Sequence, residues 1–507
     1  MATGGPVTVP ALSLAGITKR FGSKVANDDI SLQLARGEVL GLLGENGAGK
    51  TTLINILFGH YVADAGHIEV FGERLAPGSP RAAIAAGVGL VHQHFTLAAN
   101  LTVLDNVMAG TQSIFRPVSS RRQAREKLLA LSRQFGLAVE PDARVARLSV
   151  GERQRVEILK SLYRGARILV LDEPTAVLTP IESLNLFEAL GRMAAEGLSV
   201  ILISHKLDEV LRVSVRVAIL RAGRIVAVRA AGSMDRGALA ELMVGRRVSR
   251  PTRQALPARE PVLRLEGVAT RGSTPLRNAR LVVHARQIVA MVGVAGNGQR
   301  EVIDLACGLA VPRAGRLEIN GREIRRARAA GMHAAGVARI PEDRHEEGVV
   351  GDLRLWENAV LEDLQDRRFV RLGWLRRRAA RAQAARLIAD YDIRCTGPEQ
   401  RTRLLSGGNM QKLIIGRGLD AAPRFIVACQ PTRGLDEGAV VDAHSRLLQA
   451  RERGAGVLLV TEDLDEALGL ADAIVVIQDG RISAPMTAPY DLQRIALMML
   501  GEAGDAH

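Results

Sequence analysis

Gly44-Glu45-Asn46-Gly47-Ala48-Gly49-Lys50-Thr51 follows a short apolar run, Val39–Leu43, and precedes a stretch with helical character, Thr52–Phe58. A buried strand, a glycine-rich turn and a helix start, in that order, are what a phosphate-binding loop requires. The glycines let the chain double back so that successive backbone N–H groups face phosphate oxygens, and the helix adds the positive end of its dipole. Lys50 can then reach the β- and γ-phosphates. The Thr51 hydroxyl can bind a Mg²⁺ ion between them, with Thr52 beside it at the head of the helix. The stretch specifies a nucleotide site without saying which nucleotide triphosphatase carries it.

The chain has 507 residues, too many for one core, so two or more domains are expected. No apolar run approaches the ~18 residues that span a bilayer; Ile474–Ile477 and its like are expected to be buried strands. Met1–Pro10 has no apolar segment of the kind that directs export. Cys307, Cys395 and Cys429 are scattered and form no C-x-x-C pair, which argues for a reducing compartment and against zinc or iron–sulfur ligation. A net charge of +14 points to nucleic acid, or to an anionic membrane surface or acidic partner. Aromatic residues are only 3%, which leaves few platforms for stacking single-stranded bases.

An internal repeat organises the whole chain. Gly44 and Gly293 lie 249 residues apart, as do Gln93 and Glu342. Further on, Ser149 and Ser406, Asp172 and Cys429, and His205 and Glu462 are each 257 apart. Eight extra residues therefore fall between 342 and 406. Each copy starts β-rich (Leu12–Leu34, then Val262–Val283) and passes through its glycine-rich loop to a mostly helical insertion, Ser119–Phe135 or Arg376–Tyr391. In the first copy Arg167–Leu171, Ile181–Ala195 and Val200–Ile203 then alternate strand, helix and strand, the pattern of parallel βαβ units. The expected domains are residues 1–248 and 262–507, joined by an Arg- and Pro-rich linker over 249–261.

In the first copy the hydrophobic run Arg167–Leu171 ends in Asp172 and Glu173, with Leu148–Glu152 upstream and Ser204-His205 downstream. Asp172 is placed to hold Mg²⁺ and Glu173 to polarise an attacking water. With Gln93, this set resembles the nucleotide-binding domain of ABC ATPases, over essentially the full length. The resemblance implies an α/β fold of two tandem domains, each with a β-rich start, a parallel-sheet core and a helical insertion. It implies that Phe21 stacks on adenine, that Gln93 senses Mg²⁺ and the γ-phosphate, and that His205 contacts the γ-phosphate. It also implies that the signature serines, Ser149 and Ser406, meet nucleotide bound by the opposite domain, the domains closing head-to-tail as an internal pseudo-dimer. For His92 and His94, packing is the plainer expectation.

The second copy has lost the chemistry position by position. Gln299 replaces Lys50, Arg300 replaces Thr51, Glu342 replaces Gln93, Cys429 replaces Asp172, Gln430 replaces Glu173 and Glu462 replaces His205. Gly267–Ser273, matching Gly16–Ser23, contains no aromatic residue. Gln430 cannot act as a base, because an amide has no titratable lone pair near neutral pH. Arg300 could bridge phosphates or occlude the pocket. The signatures decay the other way. Leu405-Ser406-Gly407-Gly408-Asn409 is the fuller one, whereas Ser149-Val150-Gly151-Glu152 has lost a glycine and gained a carboxylate. Asp436 is likewise kept where the first copy has Thr179. One hydrolytic site per chain is expected, with Lys50, Thr51, Asp172, Glu173 and His205 opposite Ser406, Gly408 and Asp436.

Val91–Phe95, Leu171–Pro180, Gly296–Gln299, Ile340–Arg344, Ser406–Lys412 and Gln430–Asp436 look like the ATP-binding subunit of simple-sugar and nucleoside importers, leaning towards the purine-nucleoside branch. Arg300 departs from that branch, where a small hydroxyl residue is the norm. The resemblance implies two integral-membrane permease subunits, an extracytoplasmic substrate-binding protein, a peripheral place on the cytoplasmic face of the membrane, and no nucleic-acid partner. ATP and Mg²⁺ are the implied cofactors. A soluble factor acting on ribosomes or nucleic acid is the alternative, disfavoured by the broken second site and the short linker. The Arg-rich run Arg367–Arg386 is expected to form a solvated helix face or a surface towards permease or anionic headgroups.

Overall fold

A computed structural model describes residues 9–22, 24–45, 47–92, 95–111, 121–175, 178, 180–204, 206–245, 251 and 253–501. The chain divides into two compact units, Met1–Val248 and Ser249–His507. Most of the 249–261 stretch belongs to the second unit by its contacts. Arg253 reaches Asp472 at 2.5 Å, Asp472 is shared with the fully buried Arg451, and Ala285 N–H donates to Glu260.

In the first unit Val39–Leu43 is buried at every position and lies third in a six-stranded sheet. The order is Arg224–Ala230, Arg216–Arg221, Val39–Leu43, Ser199–Ile203, Ile168–Asp172, Val88–Val91, and only the Arg224–Ala230 edge runs antiparallel. Continuous apolar strands of this kind are covered on both faces. One face packs on a four-stranded antiparallel sheet through Leu12, Leu14, Ile30 and Leu32, which share a core with Leu40 and Leu42. The helix Lys50–Leu57 shares that core through Leu53, Ile54, Ile56 and Leu57, and the other face carries further helices, Arg121–Phe135 and Val150–Tyr163 among them. In Arg121–Phe135 the buried Ala124, Leu128, Ser132 and Phe135 fall on one stripe, and burial of each large apolar side chain there contributes about 1.5–3 kcal/mol.

The register decides what the sheet presents. Ile203 pairs with Leu42 on one side and Asp172 on the other, so three parallel strands end level. The loops after Leu43, Asp172 and Ile203 therefore emerge together at the carboxyl edge, where ligands of open α/β sheets bind.

The second unit repeats this order with Arg481–Ile482, Ala473–Gln478, Ile288–Val292, Gly456–Thr461, Phe425–Cys429 and Val337–Ile340. Cys429 pairs with Val460 as Asp172 pairs with Ile203. Ile474–Ile477 lies within a buried strand, Ala473–Gln478. Two elements differ from the sequence reading. The first-copy helix starts at Lys50, two residues before Thr52, because Gly49 at φ 108° turns the chain into it there. The Arg367–Arg386 run is not one helix: a two-stranded hairpin, Val370–Arg371 with Trp374–Leu375, precedes the helix Arg377–Asp390. Helical periodicity does not extend through Gly373, and the chain turns there instead.

Candidate nucleotide site and its degenerate copy

The glycines of the first loop are set by contact. A Cβ on Gly44 would lie 2.3 Å from the Leu220 carbonyl, and one on Gly49 2.3 Å from the Ala26 carbonyl. The loop is held from below by Asn27, fully buried, whose amide donates to Gly49 O at 3.1 Å. Gly223 N–H donates to Ala48 O at 3.0 Å, and Ala48 N–H donates to Glu45 O. Lys50 is only 8% exposed and folds back along the loop, donating to Gly44 O at 2.6 Å and Glu45 O at 3.1 Å. Its cation thus lies along the carbonyls, with the half-buried Thr52 and exposed Thr51 in the first turn and Gly47 exposed at the loop crest.

Asp172 closes its strand and Glu173 follows in the left-handed region at φ 47°. Glu173 N–H donates to Ile203 O at 2.9 Å, which fixes the turn. Burial and, next, the neighbouring Glu173 carboxylate push the Asp172 carboxyl up to about 6 against the opposing Lys50 charge. A second layer holds the loop. Thr175 Oγ1 donates to Glu209 at 2.5 Å, and Ser204 Oγ donates to the same carboxylate oxygen at 3.2 Å. Phe21 is 45% exposed, with its ring edge-on to Tyr61 at 5.5 Å and Lys19 Nζ 5.6 Å from its centroid. Asn46, Gln93, His94, Thr179 and His205 lie outside the described residues. His92 stands half-buried, its ring 6.5 Å from His60, and burial lowers its pKa.

The second copy keeps the backbone and changes the occupants. Gln430 has φ 45° and donates its N–H to Val460 O at 2.8 Å, and Thr432 Oγ1 donates to Glu466 at 2.6 Å. Gln299 curls into its own loop: Nε2 donates to Val294 O at 2.9 Å while Oε1 accepts from Asn297 N–H at 2.9 Å. The corresponding Ala48 N–H of the first loop donates to a backbone carbonyl, Glu45 O, instead of to a side chain. Arg300 turns towards acids, with Glu347 at 2.6 Å and Asp304 at 3.1 Å. Cys429 is buried and burial raises its thiol pKa, so a neutral group replaces the carboxylate. Glu342 is paired with Arg433, and Glu462 is exposed.

The signature helices differ in the opposite sense. Before Val150–Tyr163, Ser149 Oγ accepts from Glu152 N–H at 3.2 Å and Glu152 accepts from Ser149 N–H at 2.8 Å, a complete capping box. A Cβ on Gly151 would lie 2.1 Å from Glu182 Oε1. Two carboxylates therefore cover that helix start. Before Gly407–Asp420, Ser406 makes no capping bond to the backbone; Asn409 Nδ2 donates to Ser406 Oγ at 2.8 Å, and Asn409 Oδ1 is held by Arg394 N–H. Nothing lies within 4 Å of a Cβ on Gly408, and Ala439 stands where the first copy has Glu182. Asp436 accepts from Ala439 N–H at 2.9 Å as a helix cap. The first helix start repels an anion and the second can receive one.

The family model for ABC transporters matches residues 27–176 and 276–433, more than half the chain and one match per copy. The chain belongs to the ABC transporter family. It is 40% identical to a nucleoside import ATP-binding protein of Lactococcus lactis (97% of this chain, 98% of that protein) and 41% identical to a guanosine import ATP-binding protein of Bacillus subtilis (98% and 99%). A ribose import ATP-binding protein of Burkholderia thailandensis is 37% identical, over 93% of this chain and 94% of its own length. A solved structure of an archaeal ribosome recycling factor with a ribosomal stalk protein matches with a TM-score of 0.63 at 18% identity, over 96% of this chain and 92% of that one; this likeness shows the fold alone. Residues that sequence reasoning passed over in this ABC chain are Asn27, Thr175, Glu182 and Glu209. Thr175 and Glu209 had a usable signal, since Thr432 and Glu466 repeat them 257 residues on.

Proposed function

We propose that this chain is the ATP-hydrolysing subunit of an importer for a nucleoside, or a simple sugar, and that it hydrolyses ATP at one site. That site combines the loops of the first copy with the signature of the second. The observation that carries this reading is the opposite decay of the copies: Lys50, Asp172 and Glu173 stand beside a blocked signature, and the open signature at Ser406 stands beside a loop filled by Gln299.

The residues present fit a divalent cation. Asp172 and Glu173 are adjacent carboxylates at the end of the strand, burial and then Glu173 raise the Asp172 pKa, and Thr51 lies in the first turn of the helix Lys50–Leu57. Thr51, Asp172 and Gln93 would hold Mg²⁺, which when bound offsets charge on the phosphate oxygens. Gly44, Glu45, Asn46, Gly47, Ala48 and Gly49 supply the backbone cradle, Lys50 the cation for the β- and γ-phosphates, and Phe21 a face for adenine. Glu173 takes a proton from the attacking water, held in place by the Ile203 carbonyl and the Thr175–Glu209 contact behind it. His205, Ser406, Gly407, Gly408 and Asp436 complete the γ-phosphate surroundings.

Import is supported by the names of the relatives, two of which concern nucleosides. The partners are accordingly a pair of permease subunits and an extracytoplasmic binding protein, with this chain peripheral on the cytoplasmic face. No helix among the described residues is long and apolar enough to cross a membrane. The test is reconstitution with a cognate pair of permease subunits. Glu173→Gln is expected to abolish phosphate release and uptake, while Gln430→Ala leaves both within about twofold. Equal losses from the two would sink the one-site reading, and a ribose-specific binding protein would move the substrate to sugars.

A further inference from the structure

The second helical insertion carries a feature that nucleotide chemistry does not use. Arg367-Arg368-Phe369-Val370-Arg371-Leu372-Gly373-Trp374-Leu375-Arg376-Arg377-Arg378 contains six arginines and no acid, and it falls within the interval where the second copy has eight extra residues. Its base is fixed. Phe369 is buried at 3% exposure, Val370 N–H donates to Asp366 O at 3.0 Å, and Arg376 N–H donates to Phe369 O at 2.7 Å. From that base Val370–Leu375 and Arg371–Trp374 pair as a hairpin. The tip is Leu372-Gly373, both at positive φ, 49° and 80°. A two-residue turn of this kind favours Asn-Gly, and a leucine held in the left-handed region is an outlier that packing should explain. Packing does not explain it. Leu372 is 91% exposed and Trp374 81%, and among the described residues no ring or cation contacts the Trp374 indole.

The charges around the tip are also uncommitted. Arg368 is bound to Asp366 at 2.7 Å, but among the described residues Arg367, Arg371, Arg376, Arg377 and Arg378 enter no ion pair. Every residue from Arg371 to Arg378 is exposed. A pre-formed tip that presents a leucine and a tryptophan, ringed by free guanidinium groups, has the composition of a segment that sits at a bilayer surface. Indole and leucine enter the headgroup boundary, and arginines meet lipid phosphates. A protein groove is the poorer fit. A stable protein interface takes ~800 Å² from each partner around a packed aromatic centre, and a two-residue tip offers little beyond two side chains. A membrane surface needs no matching shape.

We propose that the Leu372–Trp374 tip is a membrane-surface contact, inserting into an anionic bilayer with the surrounding arginines on lipid phosphates. It does not depend on the import reading, because the purified full-length chain can be tested without permease. The experiment is flotation with vesicles of phosphatidylcholine alone and with about one-third phosphatidylglycerol, alongside tryptophan emission. Wild type is expected to partition onto the anionic vesicles about tenfold or more above neutral ones, with emission shifted to the blue. Leu372→Asn with Trp374→Ser keeps the net charge and gives the turn its preferred residue. That pair is expected to lose most of this partition, with unchanged melting temperature. Replacing Arg376, Arg377 and Arg378 by Gln should reduce the salt sensitivity of binding. Equal partition of wild type and the Leu372/Trp374 variant would overturn the proposal, since the overall charge would then suffice. Absence of wild-type binding would overturn it as well, and if the variant then also failed to assemble with permease, the tip would be a protein contact.

Discussion

The two glycine-rich loops share a backbone and differ in who occupies it. In the first, the buried Lys50 lies along the Gly44 and Glu45 carbonyls. In the second, Gln299 bonds both ways within its own turn, to Val294 O and Asn297 N–H. The signature helices invert the contrast, with Glu152 and Glu182 over one start and neutral Asn409 and Ala439 at the other. The two copies therefore differ in their side chains on a shared frame. The left-handed turns at Glu173 and Gln430, with matching bonds to Ile203 and Val460, make the same point.

Substitutions that carry one copy's residue into the other test this contrast directly. The largest effect is expected from Lys50→Gln, which should lower ATP turnover of the assembled transporter by about 100-fold or more, measured by phosphate release. Its converse, Gln299→Lys, should leave turnover within about twofold, because Arg300, Cys429 and Gln430 remain. Next comes Asn409→Glu, which places a carboxylate at the open helix start as in the first copy. Repulsion of phosphate by about 1–2 kcal/mol predicts a roughly tenfold loss of turnover with the fold intact.

Smaller effects fall on stability. The Asp172 carboxyl holds its proton more tightly folded than unfolded, since its pKa rises from 3.8 to about 6. Its cost to stability therefore grows as pH rises from about 4 to 6 and is constant above. Asp172→Asn should raise the melting temperature of nucleotide-free protein in chelator at pH 7.5 by a few degrees, roughly 2–4 °C, and by nothing near pH 4. An equal difference at both pH values would remove burial of charge as the cause. Smallest is Glu152→Asn, which breaks the capping box at a cost of about 0.5–1 kcal/mol and lowers the melting temperature by a degree or two. It should leave turnover within about twofold, since Ser149 faces only the degenerate loop in the proposed arrangement.

Much of this was legible in the sequence because it is periodic. The run Val39–Leu43, the constant spacings and the carboxylates at 172 and 173 locate the sheet, the two copies and the reactive edge without coordinates. What was not legible depends on partners distant in sequence. Arg300 could have bridged phosphate or blocked the pocket, and only the position of Glu347, 47 residues on, decides that it turns aside. Asn27 carries no local pattern and matters because the fold brings it under Gly49. Glu182 reads as an ordinary first-turn acid of its own helix, yet its carboxylate lies over Gly151. The arginine run invited a helix, and the break comes from a Leu-Gly turn that lacks the usual asparagine.

The strand position of Cys429 has a further consequence for how such a chain can evolve. It is 2% exposed, with no lysine in the adjoining loop. A lone reversion to aspartate would bury an unpartnered charge, costing several kcal/mol before any catalytic gain. Restoring the lysine first would spare nothing, because position 429 then still offers a buried thiol and no carboxylate to pair with it. The retained backbone keeps the way back short in geometry, but each single step along it is penalised. In the proposed one-site arrangement these penalties act as a ratchet that keeps the division of labour between the copies in place.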